Sequence, residues 1–470
     1  MADIRPAVAP AIEALMQRYY VHARGVVRIA ERMLTMTRIP DRHKPRIYRI
    51  DATFLTFNGK LAIRDPDIFR HRPSEMFRLF REARARDLVI YGHTTELVAE
   101  ISAQPEIKAA IVGDPECARL FRAALTDTDD ARQPALFEQM HQFGLLSAIM
   151  PEWEPCTCRV QHDLYHVYTV DQHQLYTLAM LKQFARGELA KIYPSTTQAM
   201  AEVADCEGLY LGTLLHDIGK PFGKGHAESG ARLTRRIADR LGMSTDQAEL
   251  AEFLVRQHLT MSHLSQRRDL SDPKVISRFA ERVGDTQRLS ALYLCTLCDT
   301  SMTAPGNLNG WKSDLLRELF VRTHACLSGE DAVPEHRPAE RDLRTRERVI
   351  EILLHQRERE TTSDGARDES WRQLDRAGIA AFVAGIDDGF FASLTPRQLA
   401  RQVRLAWHHQ EARAAAGDGD DAVVEIAVTS YPLKGHSELA VVADDASGLL
   451  AAIAGALTAN RIDVLGAVVG

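Results

Sequence analysis

An apolar run, LYLGTLLHDIGKPFGKGH, delivers a histidine and an aspartate side by side, His216 and Asp217, at the start of a glycine-rich turn. An adjacent imidazole and carboxylate can offer one nitrogen and one oxygen to a single cation, a donor mix suited to a borderline or hard divalent metal. Alone, the pair is weak evidence, because a histidine at a helix C-terminus followed by a turn-forming aspartate accounts for it equally well. Further residues strengthen it: His173 in YTVDQHQL upstream, His226 in GKGHAESGA just after the turn, His258 in LVRQHL and Asp299 in LCTLCDTS. Singly, His173 and His258 read as half-buried core histidines and Asp299 as a cap. In this order they form a specific pattern.

The elements that must position these residues are helices. Residues 160–330 alternate apolar and polar positions at helical spacing, with HD at the end of one helix and the other histidines on or beside the rest. Residues 1–150 begin with a long amphipathic helix over 11–36, its apolar positions Ile12, Leu15, Met16, Tyr19, Val26, Ile29, Ala30 and Met33. One β-hairpin is predicted where IYRIDATFLTF and KLAIRD flank Asn58-Gly59, a pair that tolerates the positive φ of a tight turn. Helix returns from Ser74 to Met150, with Met76, Leu79, Phe80, Leu136, Met140, Phe143 and Leu146 as core. The acidic string Asp127-Thr128-Asp129-Asp130 reads as a solvated loop and cap. Residues 331–415 form an arginine- and glutamate-rich helical connector, in which His408 and His409 point about 100° apart on a helix and read as surface residues. Residues 421–470 change texture to strand, strand, helix, strand.

Composition narrows the class. A chain of 470 residues suggests about three modules. With 58 basic and 64 acidic residues interspersed and a net charge of −6, there is no electrostatic footprint for nucleic acid. No apolar stretch of signal-peptide or membrane-spanning length occurs, so a cytoplasmic protein without a membrane partner is expected. Seven cysteines, an odd number, argue for reduced thiols. Cys156-x-Cys158 and Cys295-x-x-Cys298 lack the second properly spaced pair of a zinc site, and the latter falls on one buried helix face.

The order H…HD…H…H…D resembles the HD phosphohydrolase superfamily. That resemblance implies one metal held by His173, His216, Asp217 and Asp299, and a second reached by His226 and His258. YTVDQH, LLHDIGK, GHAESGA, LVRQHLTMS, QRRDLSDPKVI and WKSDLLRELF resemble more closely the bifunctional uridylyltransferase/uridylyl-removing family that modifies the P-II nitrogen-regulatory protein. MQRYYVHARGVV and GKLAIRDPDIFRHRPSEMFRLF resemble the region after that family's transferase core, and SELAVVADDASGLLAAIAGAL the start of its first ACT domain. The expected fold is mainly α: a helical HD core, a helical N-terminal region with one hairpin, and a partial α+β ACT-like end.

The implied activity is hydrolysis of the phosphodiester joining UMP to a tyrosine of P-II. The cofactor would be one or two divalent ions, Mg2+ or Mn2+, with Fe2+ or Zn2+ as alternatives. Lys220 would join His216 and Asp217 in catalysis by neutralising non-bridging phosphoryl oxygens; otherwise it is a surface lysine at a helix end. Arg256, Arg267 and Arg268 could grip a phosphate or an acidic partner, or be solvated charge; His263 reads as structural. No Gly-Ser loop with an Asp-x-Asp pair precedes Met16, so transfer of UMP is not expected, and an incomplete βαββαβ end makes a glutamine effector doubtful. Two alternatives stay open: an HD hydrolase of small nucleotides, and a non-catalytic regulatory module that binds P-II.

Overall fold

The helical periodicities become helices in the computed structural model, which describes residues 11–37, 44–130, 132, 134–160, 167–203, 206–223, 225–268, 270, 272–304, 307–308, 310–329, 338–359, 371, 373–386, 394, 396–416, 423–431, 436–462 and 464. The chain divides into two compact units, residues 1–330 and 331–470.

The first unit opens with α1 (Ala11–Thr37), then the strands β1 (Ile47–Arg49), β2 (Phe54–Phe57) and β3 (Lys60–Ile63). Short helices follow: α2 (Ile68–His71), α3 (Ser74–Ala85), α4 (Gly92–Ser102), α5 (Pro105–Gly113), α6 (Pro115–Thr126), α7 (Leu136–Gln142) and α8 (Leu145–Ile149), closed by a 3-10 turn over Pro151–Cys156. The remainder is α9 (Val170–Ala185), α10 (Ser195–Glu202), α11 (Cys206–Leu215), α12 (His226–Arg240), α13 (Thr245–Arg267), α14 (Pro273–Val283), α15 (Thr286–Thr303) and α16 (Gly310–Ser328).

Local chemistry sets several of these boundaries. Ser244 and Gln247 form a reciprocal capping box that starts α13. Asp272 with Pro273 starts α14, and Asp285 caps α15 by accepting from the Arg288 amide. Asn58 and Gly59 both take positive φ, 49° and 78°, and join β2 to β3 as the sequence suggests. The hairpin gains a third strand, however. Asp51 Oδ1 accepts from the amides of Thr53 and Phe54 at 2.7 and 2.8 Å, which folds the chain back so that β1 pairs antiparallel with β2.

One continuous hydrophobic core runs from Phe54 to Phe320, and Met76, Leu79, Phe80, Leu136, Met140 and Leu146 lie in it. The long first helix behaves differently. Ile12, Leu15, Tyr19, Val26, Ile29 and Met33 are each more than half exposed. Among the described residues, polar contacts help tie α1 down: Gln17 donates to the Thr157 carbonyl at 2.8 Å, Glu13 meets Arg159 at 3.4 Å, and Arg24 reaches Asp171 at 2.6 Å.

The second unit comprises α17 (Pro338–Arg359), α18 (Arg376–Ala384) and α19 (Pro396–Ala416) around a small core with Trp371 and Val403. Two antiparallel strands follow, β4 (Val424–Tyr431) and β5 (His436–Ala443), then α20 (Leu449–Ala459), none of whose residues is buried. The last expected strand, 462–470, falls almost wholly outside the described residues. His408 and His409 are half-buried where surface positions were expected; His409 Nε2 donates to the Val423 carbonyl at 3.0 Å, which draws that ring in. Among the described residues no helix is long and apolar enough to cross a membrane.

Candidate metal centre

Close helix packing brings the candidate ligands together. Gly208 and Gly212 lie at four-residue spacing on the face of α11 that leads to His216, and they let α13 approach. A Cβ at Gly212 would sit 2.8 Å from Leu254 Cδ1, and one at Gly208 2.7 Å from the Gln247 carbonyl. The turn after Asp217 packs backbone on backbone: a Cβ at Gly219 would fall 1.9 Å from the His226 carbonyl. Gln174, beside His173, clamps the same turn. With its amide oriented by its neighbours, it donates to the Leu214 carbonyl at 3.2 Å and accepts from the Ile218 amide at 3.3 Å.

Three of the imidazoles are held in the same way. His173 Nδ1 lies 3.0 Å from the Met302 carbonyl, His216 Nδ1 2.9 Å from that of Thr213, and His258 Nδ1 2.8 Å from that of Val255. A carbonyl only accepts, so each Nδ1 carries a proton and each Nε2 turns inward. His173 and His216 bring their Nε2 atoms within 3.1 Å of each other, and Asp299 Oδ1 lies 3.1 and 3.6 Å from them.

Asp217 divides its two oxygens. Oδ2 faces His216 at 3.3 Å and His173 at 3.7 Å, while Oδ1 faces His258 at 3.7 Å and His226 at 3.9 Å. Two ligand groups therefore share one carboxylate: His173, His216 and Asp217 in one, Asp217, His226 and His258 in the other, with the ligand atoms of each within 4.8 Å of one another. The buried Nε2 atoms of His226 and His258 have no hydrogen-bond partner among the described residues. Inward lone pairs around buried carboxylates are a donor set that fits a divalent cation.

Electrostatics agree with that fit. Burial pushes the Asp217 carboxyl up, but Lys220 and His216 hold it well below the usual range; His216 and His173 do the same for Asp299. Burial lowers His216, yet Asp217 and Asp299 outweigh it and carry the imidazole up to about 10. Burial dominates at His258, pulling it down to about 4, and also lowers His226. Without an ion, the first ligand group therefore keeps a proton that a cation would replace, while the imidazoles of the second are already neutral.

All six candidate ligand residues named from the sequence thus lie close together. Lys220 is mostly buried and pairs with Asp217 Oδ2 at 2.8 Å, so it is part of the cluster and not a lysine at a surface helix end. Arg256 is taken up by Glu228 at 3.0 Å and Glu252 at 2.6 Å, Arg267, Arg268 and His263 are exposed on or at the end of α13, and Cys295 and Cys298 are buried and fall in no group of three possible metal ligands among the described residues. The sequence reading passed over Gln174 and Asp171, although both stand in the stretch YTVDQHQL that singled out His173.

Comparisons with known proteins agree with these features. The family model described as "HD domain" matches residues 170–292, and the one described as "Uridylyltransferase GlnD third domain" matches residues 54–149. The chain is 35% identical to a bifunctional uridylyltransferase/uridylyl-removing enzyme of Thiobacillus denitrificans over 86% of its own length and 45% of that protein. It is 36% identical to one from Bordetella avium, over 78% of this chain and 42% of the relative, and 34% identical to one from Phenylobacterium zucineum, over 68% and 35%. The chain spans less than half the length of these curated relatives.

Proposed function

For a chain that carries an HD domain and resembles the bifunctional uridylyltransferase/uridylyl-removing enzymes along most of its length, we propose a metal-dependent phosphodiesterase that removes UMP from uridylylated P-II protein. The observation that carries the reading is Asp217 set between two histidine groups, with one carboxylate oxygen turned to each. His173, His216, Asp217 and Asp299 would hold the first ion and His226 and His258, with Asp217, the second; Mg2+ or Mn2+ is what the resemblance implies, and the imidazoles suit Fe2+ or Zn2+ as well. A bound divalent ion would supply Lewis acidity, polarising a phosphoryl oxygen and lowering the pKa of water toward neutrality.

The residues of the chain do the positioning. The carbonyls of Met302, Thr213 and Val255 fix the imidazole tautomers, and Gln174 holds the turn that carries Asp217. Lys220 adds a positive charge against Asp217, favouring an anionic phosphodiester beside the cluster. Tyrosine, with a pKa of about 10, is already a fair leaving group, so little help is needed at the bond that breaks.

The test is direct. Purified chain with Mn2+ or Mg2+ is expected to release UMP from uridylylated P-II, and failure to do so while retaining bound metal would end the P-II reading. Release of products from free nucleotides in a parallel panel would replace it with a small-nucleotide hydrolase.

A further inference from the structure

Asp171 lies two residues before His173 in the first turn of α9 and is fully buried. A carboxylate removed from water needs a counter-charge and hydrogen bonds. Its Oδ2 receives Arg24 Nη2 at 2.6 Å and His141 Nε2 at 3.0 Å. The far side of His141 fixes its proton. Trp153 Nε1 lies 3.2 Å from His141 Nδ1, and an indole N–H can only donate, so Nδ1 accepts and the imidazole proton sits on Nε2, pointing at Asp171.

None of these partners lies within the segment that matches the HD family model, 170–292. Arg24 comes from α1, His141 from α7 and Trp153 from the 3-10 turn. Arg24 helps fasten α1, on which Ile12, Leu15, Tyr19, Val26, Ile29 and Met33 are more than half exposed. The arrangement links a lightly attached surface helix to the turn that carries a candidate metal ligand.

We propose that Asp171 is a positioning residue for His173 and that Arg24 is its counter-cation, so that the seating of α1 governs how well the metal centre is formed. The inference rests on the metal-centre reading above. Without Arg24, Asp171 keeps His141 on Oδ2 but loses its counter-cation, and a buried charge left under-compensated favours a shift of the first turn of α9 toward solvent. His173 is carried on that turn, and its Nε2 then leaves the ligand group.

The experiment titrates the full chain with Mn2+ alone and measures thermal stability separately in chelator. Arg24→Ala is expected to weaken Mn2+ binding about tenfold or more, the range seen when outer contacts to metal ligands are lost, with Arg24→Lys restoring most of it. Arg119→Ala, which breaks an exposed pair with Glu116 at 2.6 Å, should leave binding unchanged. Asp171→Asn removes the buried charge, so Arg24→Ala with Asp171→Asn should bind Mn2+ better than Arg24→Ala alone. Lower stability with unchanged Mn2+ affinity would overturn the proposal, as would strictly additive effects in the double variant. If Arg24→Ala does not fold, Asp171→Asn decides it: weaker Mn2+ binding than the parent is expected, and unchanged affinity rejects the proposal. Retention of Mn2+ by Asp217→Ala would instead show that the metal-centre reading itself is wrong.

Discussion

Asp217 is the residue on which the candidate site depends, because each of its oxygens serves a different set of histidines. That division predicts unequal losses. Asp217→Ala is expected to abolish bound Mn2+ altogether, whereas His226→Ala should leave about one ion per chain, counted by elemental analysis after dialysis. Equal losses in the two variants would contradict a shared carboxylate. The charges make a second prediction. His216, raised to about 10 by Asp217 and Asp299, holds its proton at neutral pH when no ion is bound. The same Nε2 lone pair is needed by the cation, so binding must expel that proton and gains as pH rises toward the pKa. Mn2+ affinity should climb by up to about tenfold per pH unit between about pH 7 and 9, with about one proton released in calorimetry across two buffers. His258, at about 4, adds nothing to this slope because it is already neutral. A flat profile would take His216 out of the ligand set.

At the scale of elements, the close approach of α11 and α13 sets the site. Gly212→Ala is expected to cost about 1–3 kcal/mol, read as a lower urea midpoint at unchanged slope, because the new methyl meets Leu254 and Ala251. Such features mark what the sequence makes legible. The residues that converge on the candidate site could be picked out because helical spacing, the HD pair and the order of the histidines are local signals, and the Asn58-Gly59 turn declares itself through two residues that accept positive φ. Contacts over long separations could not be read. Nothing adjacent to His141 or Trp153 announces that they meet Asp171, since that network is set by tertiary packing of three segments. The exposure of α1 escaped for a related reason: periodicity shows that a helix has an apolar face, but not whether anything covers it. The third strand at Ile47–Arg49 was hidden because Asp51 turns the chain inside a run of strand-forming residues.

At the scale of the whole molecule, every candidate ligand and the continuous core lie within residues 1–330, while residues 331–470 form a unit with a core of their own. A chain ending at residue 330 should therefore fold cooperatively and bind Mn2+ with the affinity of the parent. Loss of binding in that shortened chain, with its helical content kept, would show that the second unit contributes to the site. The N-terminal helices are a different matter. They share the core with the HD segment and supply the partners of Asp171, so removing them is expected to expose apolar surface and strand a buried charge together.

The turn at Gly219 leaves a last consequence. Its backbone rests against the His226 carbonyl and the Gly230 amide so closely that no side chain of any kind has space there. His226 belongs only to the second ligand group, while His173, His216 and Asp299 are reached from elsewhere. A single methyl at that point would have to push the start of α12 outward and take His226 with it. On the proposed two-ion reading, a residue outside both ligand groups would then decide whether the second ion is held.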